Sequence, residues 1–322
     1  MNLLKARLCR KGKGKSLRAF VFAGQGAQSV GMGKDLYDNF DSVKELYNMC
    51  DSSKLIKKCC FDGPKEELDI TTNTQPALFL TDLACAIAFS EKSGITADGV
   101  AGFSLGEIPA ATYAGLMSTK QAYCFVEQRA KAMQSCAEKH KGAMFAVLKL
   151  SAEEVESICA SFERQAFPVN YNAPGQTVVA CADNIADELQ SAVKTAGGKA
   201  VRLKVSGAFH SPFMAEAATA VGDYLKQKSI SFGETRMPLY SNVTAKVYET
   251  GNAESLLSRQ VNSPVLWQKT IENMIADGFK TFVELGPGKT LTGLIAKINP
   301  NVRVYNVSDM ETLSKTISDI AY

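Results

Sequence analysis

The chain has 322 residues, of which 46% are hydrophobic, and a formal net charge of +3 at pH 7. A chain of this size can bury a core in one large domain or two unequal ones, and no apolar run approaches the roughly 18 residues that a transmembrane helix needs. Its nine cysteines are scattered without a C-x-x-C pair. This pattern excludes a disulfide framework and a zinc site and predicts a reducing, cytoplasmic location.

Residues 1–17 form a basic extension. Residues 1–18 hold seven Lys or Arg and no acid, which leaves a net charge of −4 for the rest of the chain. The extension lacks the apolar region of a secretory signal. We expect it to be solvated and disordered, with a short transit-like segment as the alternative. The remaining chain has no basic stripe interleaved with aromatics, so we expect neither a nucleic-acid nor a membrane partner.

In chain order, the first predicted element is an apolar run over residues 18–23, which Gly24 stops and which we interpret as a buried strand. Helical patterns follow near residues 35–50, 75–92, 105–117 and 119–139. Between 142 and 205 a strand, a helix with a Ser-x-x-Glu capping box, a hairpin, a second helix and a last strand over 199–205 follow one another. This β-α-β-β-α-β order is typical of a ferredoxin-like unit. Further helices are predicted over 215–227 and 270–276, and strands over 238–243 and 281–285.

Strands that alternate with helices outside this unit indicate a mostly parallel sheet covered on both faces. We therefore predict an α/β fold with a three-layer, α/β-hydrolase-like domain and an inserted ferredoxin-like α+β subdomain. The large catalytic subdomain is expected from residues 18–137 and 206–310, and the small one from residues 138–205. Residues 311–322 are assigned to a C-terminal segment.

The pentapeptide Gly102-Phe103-Ser104-Leu105-Gly106 has the G-x-S-x-G pattern of a nucleophile elbow. A short apolar stretch precedes it and an Ala-rich helical pattern follows, so the serine would stand on a tight strand-to-helix turn. The start of that helix offers unpaired N–H groups and a positive dipole end to a developing oxyanion. The alternative is a glycine-rich turn that happens to hold a serine.

A serine hydroxyl needs a neighbouring base to become a good nucleophile, and the chain has only two histidines. His140 lies in a charged helix end, which favours a solvated position. His210 lies in a loop of small residues between a strand and a helix and is the candidate base. No acid is placed by the sequence to orient it, since Glu216 is already on the following helix. A backbone carbonyl or an amide side chain could take that place.

Two sequence features have both a catalytic and a structural interpretation. The turn at Gly24 and Gly26 follows a strand, but Ser29 breaks the dinucleotide fingerprint, and the P-loop pattern also fails. The turn therefore either brings a backbone N–H group to an oxyanion hole or is purely structural. Arg129 is either a solvent-exposed arginine or a residue whose planar guanidinium binds a substrate carboxylate through two hydrogen bonds.

Five motifs occur together in an order that resembles one family, the malonyl-CoA:acyl carrier protein transacylases of type II fatty-acid synthesis. The resemblance extends from about residue 18 to residue 303. The motifs are Phe22-Ala23-Gly24-Gln25-Gly26-Ala27-Gln28, Gly102-Phe103-Ser104-Leu105-Gly106-Glu107, Gln128-Arg129, Gly207-Ala208-Phe209-His210-Ser211 and Val283-Glu284-Leu285-Gly286-Pro287-Gly288-Lys289.

The resemblance implies roles for four polar residues. Ser104 matches the nucleophile that takes the malonyl group as an ester, and His210 matches the general base. Arg129 matches the arginine that pairs with the malonyl carboxylate. Gln260 matches the glutamine whose main-chain carbonyl orients the histidine, which would explain the missing acid.

The resemblance also assigns the residues that shape the pocket. Gln25 and Leu105 match the residues whose backbone N–H groups form the oxyanion hole. Phe209 resembles the form of its motif that selects malonyl over methylmalonyl groups. Two departures from the family are expected to matter locally: Ala23 in place of proline would loosen the first turn, and Phe103 in place of histidine would make the pocket drier.

The activity implied by the resemblance is a ping-pong transfer of malonyl from coenzyme A to acyl carrier protein for fatty-acid elongation. No bound cofactor and no metal are expected, and malonyl-CoA and the phosphopantetheinylated carrier protein are the substrates. The protein is expected to be a monomer. Since acyl carrier proteins are generally acidic, docking is expected at a local basic patch, with the candidates Lys199, Arg202, Lys204 and Lys289.

Alternative functions remain open at this point. A serine hydrolase or thioesterase would share the elbow and the base but would not need Arg129. A trans-acting acyltransferase of polyketide synthesis would differ in its carrier protein. A non-catalytic binding protein or a nucleotide-binding module would require the glycine turn to bind phosphate.

Overall fold

The computed structural model describes residues 16–51, 55–205, 207–228, 230–249 and 251–320. The predicted basic extension lies outside the described residues, apart from Ser16 and Leu17. Leu17 is buried and begins the first strand, one residue earlier than the sequence pattern indicates.

Four parallel strands form one sheet: β1 (Leu17–Phe22), β2 (Gly99–Gly102), β7 (Phe279–Leu285) and β8 (Arg303–Val307). Their order is β2-β1-β7-β8. Side chains alternate along β1: Phe20 and Phe22 enter one apolar core, whereas Ala19 and Val21 enter a second core with Trp267. The sheet is therefore buried on both faces, as the sequence predicts for a parallel sheet.

The helices of this part of the chain lie between and after these strands. The longest, which begins at Thr71, is buried along most of its length and fills the first core. None of the helices among the described residues is both long and apolar enough to span a bilayer. The helices are α1 (Lys34–Asn39), α2 (Asp41–Cys50), α3 (Leu55–Asp62), α4 (Lys65–Leu68), α5 (Thr71–Ser93), α6 (Glu107–Ala114), α7 (Thr119–Lys139), α10 (Ala215–Gln227), α11 (Ala253–Arg259), α12 (Trp267–Ala276), α13 (Thr290–Ile298) and α14 (Met310–Ile320).

A separate antiparallel sheet has the strand order β4-β5-β3-β6, formed by β3 (Gly142–Leu148), β4 (Ala166–Ala173), β5 (Gln176–Ala182) and β6 (Lys199–Arg202). Two helices connect its strands, α8 (Ala152–Ala160) and α9 (Ala186–Thr195). The predicted capping box starts α8, because Ser151 and Glu154 exchange side-chain and backbone hydrogen bonds. The ferredoxin-like unit within an α/β fold is thus confirmed, while the boundaries 138–205 of the subdomain stay a prediction.

Three predicted elements differ from the structure. The helical pattern near residues 35–50 forms two helices, α1 and α2, which the extended Phe40 separates. Residues 238–243 do not form a strand but make single bridges, from Leu239 to Val100 and from Tyr240 to Val247. The chain leaves the edge of β2 there because the side chain of Asn242 turns inward to the elbow. The strand predicted over 199–205 ends at Arg202.

The three glycines at the elbow are required by close packing. A Cβ on Gly102 would overlap the main-chain oxygen of Gly106, and one on Gly106 would overlap that of Phe22. A Cβ on Gly24 would overlap the main-chain oxygen of Phe103. The end of β1 and the elbow after β2 therefore lie against each other without intervening side chains.

Replacing Gly102 with Ala is expected to lower the free energy of unfolding by about 2–3 kcal/mol, because the added methyl group must displace the main chain of the elbow. Gly293→Ala is the matched control. Gly293 lies inside α13 with nothing within 4 Å of an added Cβ, so this change should stabilise the protein by about 0.5–1 kcal/mol. Urea unfolding followed by circular dichroism measures both, and equal midpoints for the two variants would contradict the steric argument.

Candidate active site

Ser104 stands at the tip of the turn that joins β2 to α6, in a short 3₁₀ turn (Ser104–Gly106). Its φ is +53°, a left-handed conformation that is unfavourable for a residue other than glycine. Asn242 holds the turn from both sides. Its Oδ1 accepts a hydrogen bond from the Ser104 N–H at 2.7 Å, and its Nδ2 donates to the carbonyl of Gly102 at 2.6 Å.

His210 lies directly against the serine. Its Nε2 is 2.6 Å from Ser104 Oγ, and its Nδ1 is 2.9 Å from the main-chain oxygen of Gln260. Since a carbonyl can only accept, Nδ1 carries the proton in the neutral ring. Nε2 is left with a lone pair that accepts the proton of the serine hydroxyl.

The environment of His210 keeps the ring neutral. Burial first, and then the positive charge of Arg129, lower its pKa to about 4, against an opposing effect of hydrogen bonds with the main chain of Gln260 and Ser263. The imidazole is therefore unprotonated near neutral pH and available as a base.

Arg129 is a buried cation, only 1% exposed, on α7. Its Nη1 donates to Gln75 Oε1 and its Nη2 to Gln260 Oε1, each at 2.7 Å. Within the described part of the chain its Nε has no hydrogen-bond partner. Burial lowers its pKa to about 10, against an opposing effect of the Glu107 charge. The interpretation as a surface arginine is wrong, and the guanidinium remains charged among neutral amides, which suits an incoming anion.

Gln260 begins the 3₁₀ turn (Gln260–Asn262) that follows α11. Besides orienting His210 through its carbonyl, it accepts from Arg129 through Oε1. Its Nε2 donates to the carbonyl of Ser104 at 2.7 Å and to Oε2 of Glu107 at 2.6 Å. One residue thus contacts the serine, the histidine and the arginine.

Glu107 is a site residue to which the sequence analysis assigned no role. It lies in the first turn of α6 and is fully buried. Its Oε1 accepts hydrogen bonds from the Tyr248 hydroxyl at 2.6 Å and the Asn242 N–H at 3.2 Å. Burial raises its pKa to about 6. A signal was present, since this carboxylate lies between Leu105-Gly106 and the Ile-Pro-Ala-Ala run that follows, in an otherwise apolar stretch.

Of the two residues matched to the oxyanion hole, one lies in the elbow and the other in the turn that packs against it. Leu105 is buried in the 3₁₀ turn beside Ser104. Gln25 follows Gly24, whose main chain packs on the carbonyl of Phe103. The Gln25 side chain donates to Thr71 Oγ1 at 3.3 Å and accepts from Gln75 at 3.5 Å, which ties this turn to α5.

The remaining expectations near the site concern three apolar positions. Phe209 is buried beside His210. The Phe103 ring packs edge-on against Trp267, with 5.5 Å between centroids. Ala23 does not loosen the first turn, because its N–H donates to the Leu285 carbonyl at 3.1 Å and continues the β1–β7 pairing, which proline could not do.

The second histidine and the four candidate docking cations all lie at the surface. His140 is exposed and lies 3.1 Å from Glu216. Among the candidate docking cations, Lys199, Lys204 and Lys289 are exposed, and Arg202 is exposed but paired with Asp183 at 3.0 Å. In the described part of the chain, no three His, Cys, Asp or Glu side chains are grouped so as to hold a metal ion.

A serine on an elbow, a neutral histidine with a fixed tautomer and a buried cation form an arrangement that suits an enzyme of the acyl-transferring class with an anionic acyl group. Residues 19–319 match the acyl transferase domain family. Similar curated proteins are the malonyl CoA-acyl carrier protein transacylases of Bacillus subtilis strain 168, 38% identical over 94% of this chain and 96% of that protein, and of Escherichia coli K12, 36% identical over 87% and 92%.

Solved structures agree with these relatives. The malonyl CoA-acyl carrier protein transacylase of Clostridium perfringens has a TM-score of 0.89 at 36% identity, over 95% of this chain and 98% of that one. A malonyl-transacylase solved in complex with its holo type II PKS acyl-carrier protein has a TM-score of 0.89 at 34% identity, over 94% and 100%. The chain belongs to the acyl transferase family, and within it to the malonyl CoA-acyl carrier protein transacylases.

Proposed function

We propose that this protein transfers a malonyl group from coenzyme A, through an ester on Ser104, to the phosphopantetheine thiol of an acyl carrier protein, and so supplies fatty-acid chain elongation. The observation that carries the proposal is the buried charge of Arg129 beside the Ser104–His210 pair. A charged fork held only by neutral amides supports binding of a carboxylate at the far end of the acyl group.

In the first half-reaction, Nε2 of His210 takes the hydroxyl proton as Ser104 Oγ attacks the thioester carbonyl. The oxyanion of the tetrahedral intermediate receives hydrogen bonds from the backbone N–H groups of Gln25 and Leu105. Its collapse breaks the C–S bond. The imidazolium of His210 returns the proton to the sulfur, and coenzyme A leaves as a thiol.

In the second half-reaction the carrier-protein thiol gives its proton to His210 Nε2 as its sulfur attacks the ester carbonyl. The C–O bond to Ser104 breaks, and the serine oxygen recovers the proton from the imidazolium. The malonyl carboxylate stays paired with Arg129 throughout. The charge of Arg129 lowers the His210 pKa, and pairing with the malonyl carboxylate offsets that charge. A bound malonyl group would therefore raise the His210 pKa and make the ring a stronger base.

The chain's own residues and the two substrates supply every group in these steps, so we propose that no resident cofactor takes part. The hydrolase alternative is not favoured, because it gives the buried Arg129 no role. A nucleotide-binding module is not favoured either, since the main chain at Gly24 packs against Phe103. The polyketide alternative differs only in the carrier protein, and the curated relatives do not favour it.

Phe209 is proposed to favour malonyl over methylmalonyl groups by occupying the space that an extra methyl would need. Its burial next to His210 supports this role. One methyl group is worth only ~1–3 kcal/mol of discrimination, so the preference would be marked but incomplete.

We propose that the acidic carrier protein docks near Lys204, as one element of a patch with Lys199, Arg202 and Lys289, on a cytoplasmic monomer. Lys204 is the strongest candidate of the four because it is exposed and lies near the turn that holds Gln25. Its charge lowers the pKa of Asp69, after the larger effects of Lys65 and Gln28. Gln28, in the turn that also holds Gln25, donates to Asp69 at 2.8 Å.

Brief exposure to malonyl-CoA is expected to increase the intact mass of the protein by one malonyl group on Ser104. Ser104→Ala is the control and should gain nothing. Holo acyl carrier protein should discharge the ester much faster than water does. Rapid loss to water alone would favour a hydrolase, and no increment would overturn the proposed function.

Arg129→Ala is expected to lower the ratio of malonyl to acetyl transfer at least about tenfold, because an acetyl group leaves the wild-type arginine buried without an anion. Arg129→Lys keeps the charge without the planar fork and should give an intermediate ratio. Competition between the two coenzyme A esters, followed by mass spectrometry, measures the ratio. The same ratio in all three proteins would exclude a carboxylate-binding role.

Lys204→Glu is expected to raise the KM for the carrier protein several-fold and to leave the KM for malonyl-CoA unchanged, because the charge acts only on docking. Arg202→Glu is the matched comparison and should have a smaller effect, since Asp183 already pairs with Arg202. An unchanged carrier KM for Lys204→Glu would place docking elsewhere.

A further inference from the structure

Three hydrogen-bond donors surround the Glu107 side chain, and an ionised carboxylate accepts from all of them. Its Oε1 faces the N–H of Asn242, and its Oε2 faces the side-chain amide of Gln260. The N–H of Asn242 can only donate, and the Gln260 amide presents its NH₂ group to Glu107. A proton on Oε2, or the NH₂ group of a glutamine in this place, would therefore set a donor against a donor.

The carboxylate, together with the Ser104 carbonyl and Arg129, fixes which way the Gln260 amide points. Its NH₂ group lies between two acceptors, Glu107 Oε2 and the Ser104 carbonyl, so its Oε1 faces Arg129. Turning this amide over would direct its oxygen at the Glu107 carboxylate and its NH₂ group at the guanidinium. Both contacts would be repulsive, and Arg129 would lose one of its two acceptors.

We propose that Glu107 is a positioning residue that sets the amide orientation of Gln260 and thereby holds Arg129 ready for the substrate carboxylate. The inference rests on the proposed function, because it concerns the selection of a malonyl group. It does not assign Glu107 any contact with substrate. The main-chain carbonyl that orients His210 does not depend on this amide, and the Asn242 side chain holds the turn of Ser104. The serine and its base are therefore expected to stay in place without Glu107.

The titratable groups around Glu107 make the role measurable by pH. Burial raises the Glu107 pKa to about 6, while hydrogen bonds from Tyr248, Gln260 and Asn242 and the charge of Arg129 lower it. The pKa of Tyr248 is raised well above 10, that of Arg129 is about 10 and that of His210 about 4. Glu107 is thus the group of this set that changes its charge near pH 6. As pH falls through this range, malonyl loading should decline before His210 protonates, and acetyl loading should not.

The test is the rate of Ser104 acylation by malonyl-CoA and by acetyl-CoA, followed by rapid quench and intact mass between about pH 5 and pH 8. In the wild type the malonyl/acetyl ratio should fall as pH drops through ~6. In Glu107→Gln at about pH 8 the malonyl rate should fall roughly ten- to a hundredfold. The acetyl rate should stay within about threefold, and the ratio should no longer depend on pH.

Tyr248→Phe is the second variant and removes only a hydroxyl. Because the Tyr248 hydrogen bond stabilises the charged form of Glu107, its loss should move the midpoint of the malonyl/acetyl ratio upward by roughly half a unit to one unit. If Glu107→Gln does not fold, the pH profiles of the malonyl/acetyl ratio in Tyr248→Phe and in the wild type still test the inference.

Three results would overturn the inference: an unchanged ratio in Glu107→Gln, an equal fall in both rates, or an unmoved midpoint in Tyr248→Phe. An equal fall would indicate a merely structural residue. Failure of the proposed function is distinguishable, since the wild type itself would then acquire no malonyl group on Ser104 at any pH.

Discussion

The site depends on the hydrogen bonds of Gln260, because they join its own turn to three other segments of the chain. Its carbonyl orients His210, its amide oxygen accepts from Arg129, and its NH₂ group contacts the main chain of Ser104. The fold secures this residue on both sides: it begins the turn after α11, and the next carbonyl, of Val261, accepts the N–H of His210 at 3.1 Å. Hydrogen bonds in a buried polar network of this kind make the site rigid.

The sequence was most informative where the structural requirement is local. The glycines around Ser104 mark an elbow because only a residue without a side chain fits where two main chains touch. The capping box at Ser151 marks the start of a helix for an equally local reason. By contrast, Asn242 and Glu107 join partners more than 130 residues apart in the chain, from Gly102 to Asn242 and from Glu107 to Gln260. Single polar residues of this kind leave no periodic pattern.

Burial explains the other differences between sequence and structure. An arginine on a helix is usually solvated, and only the packing of α7 against α5 and the Gln260 turn shows that Arg129 is enclosed. Residues 238–243 have the composition of a strand, but the inward turn at Asn242 ends their pairing after two residues. In both cases the tertiary environment decides the conformation or the exposure, and a local propensity gives no information on it.

The use of a main-chain carbonyl to orient His210 has an electrostatic consequence for which substrates the pocket admits. An aspartate in that place would stabilise the imidazolium more strongly, but it would also set a fixed negative charge near Arg129, the cation proposed to bind the substrate carboxylate. A peptide dipole holds the same tautomer without that repulsion. The carboxylate that the site does contain, on Glu107, is separated from the guanidinium by the Gln260 amide. The Gln260 carbonyl at His210 and the Gln260 amide at Arg129 are both uncharged. They therefore leave the Arg129 charge free to attract dicarboxylic acyl groups.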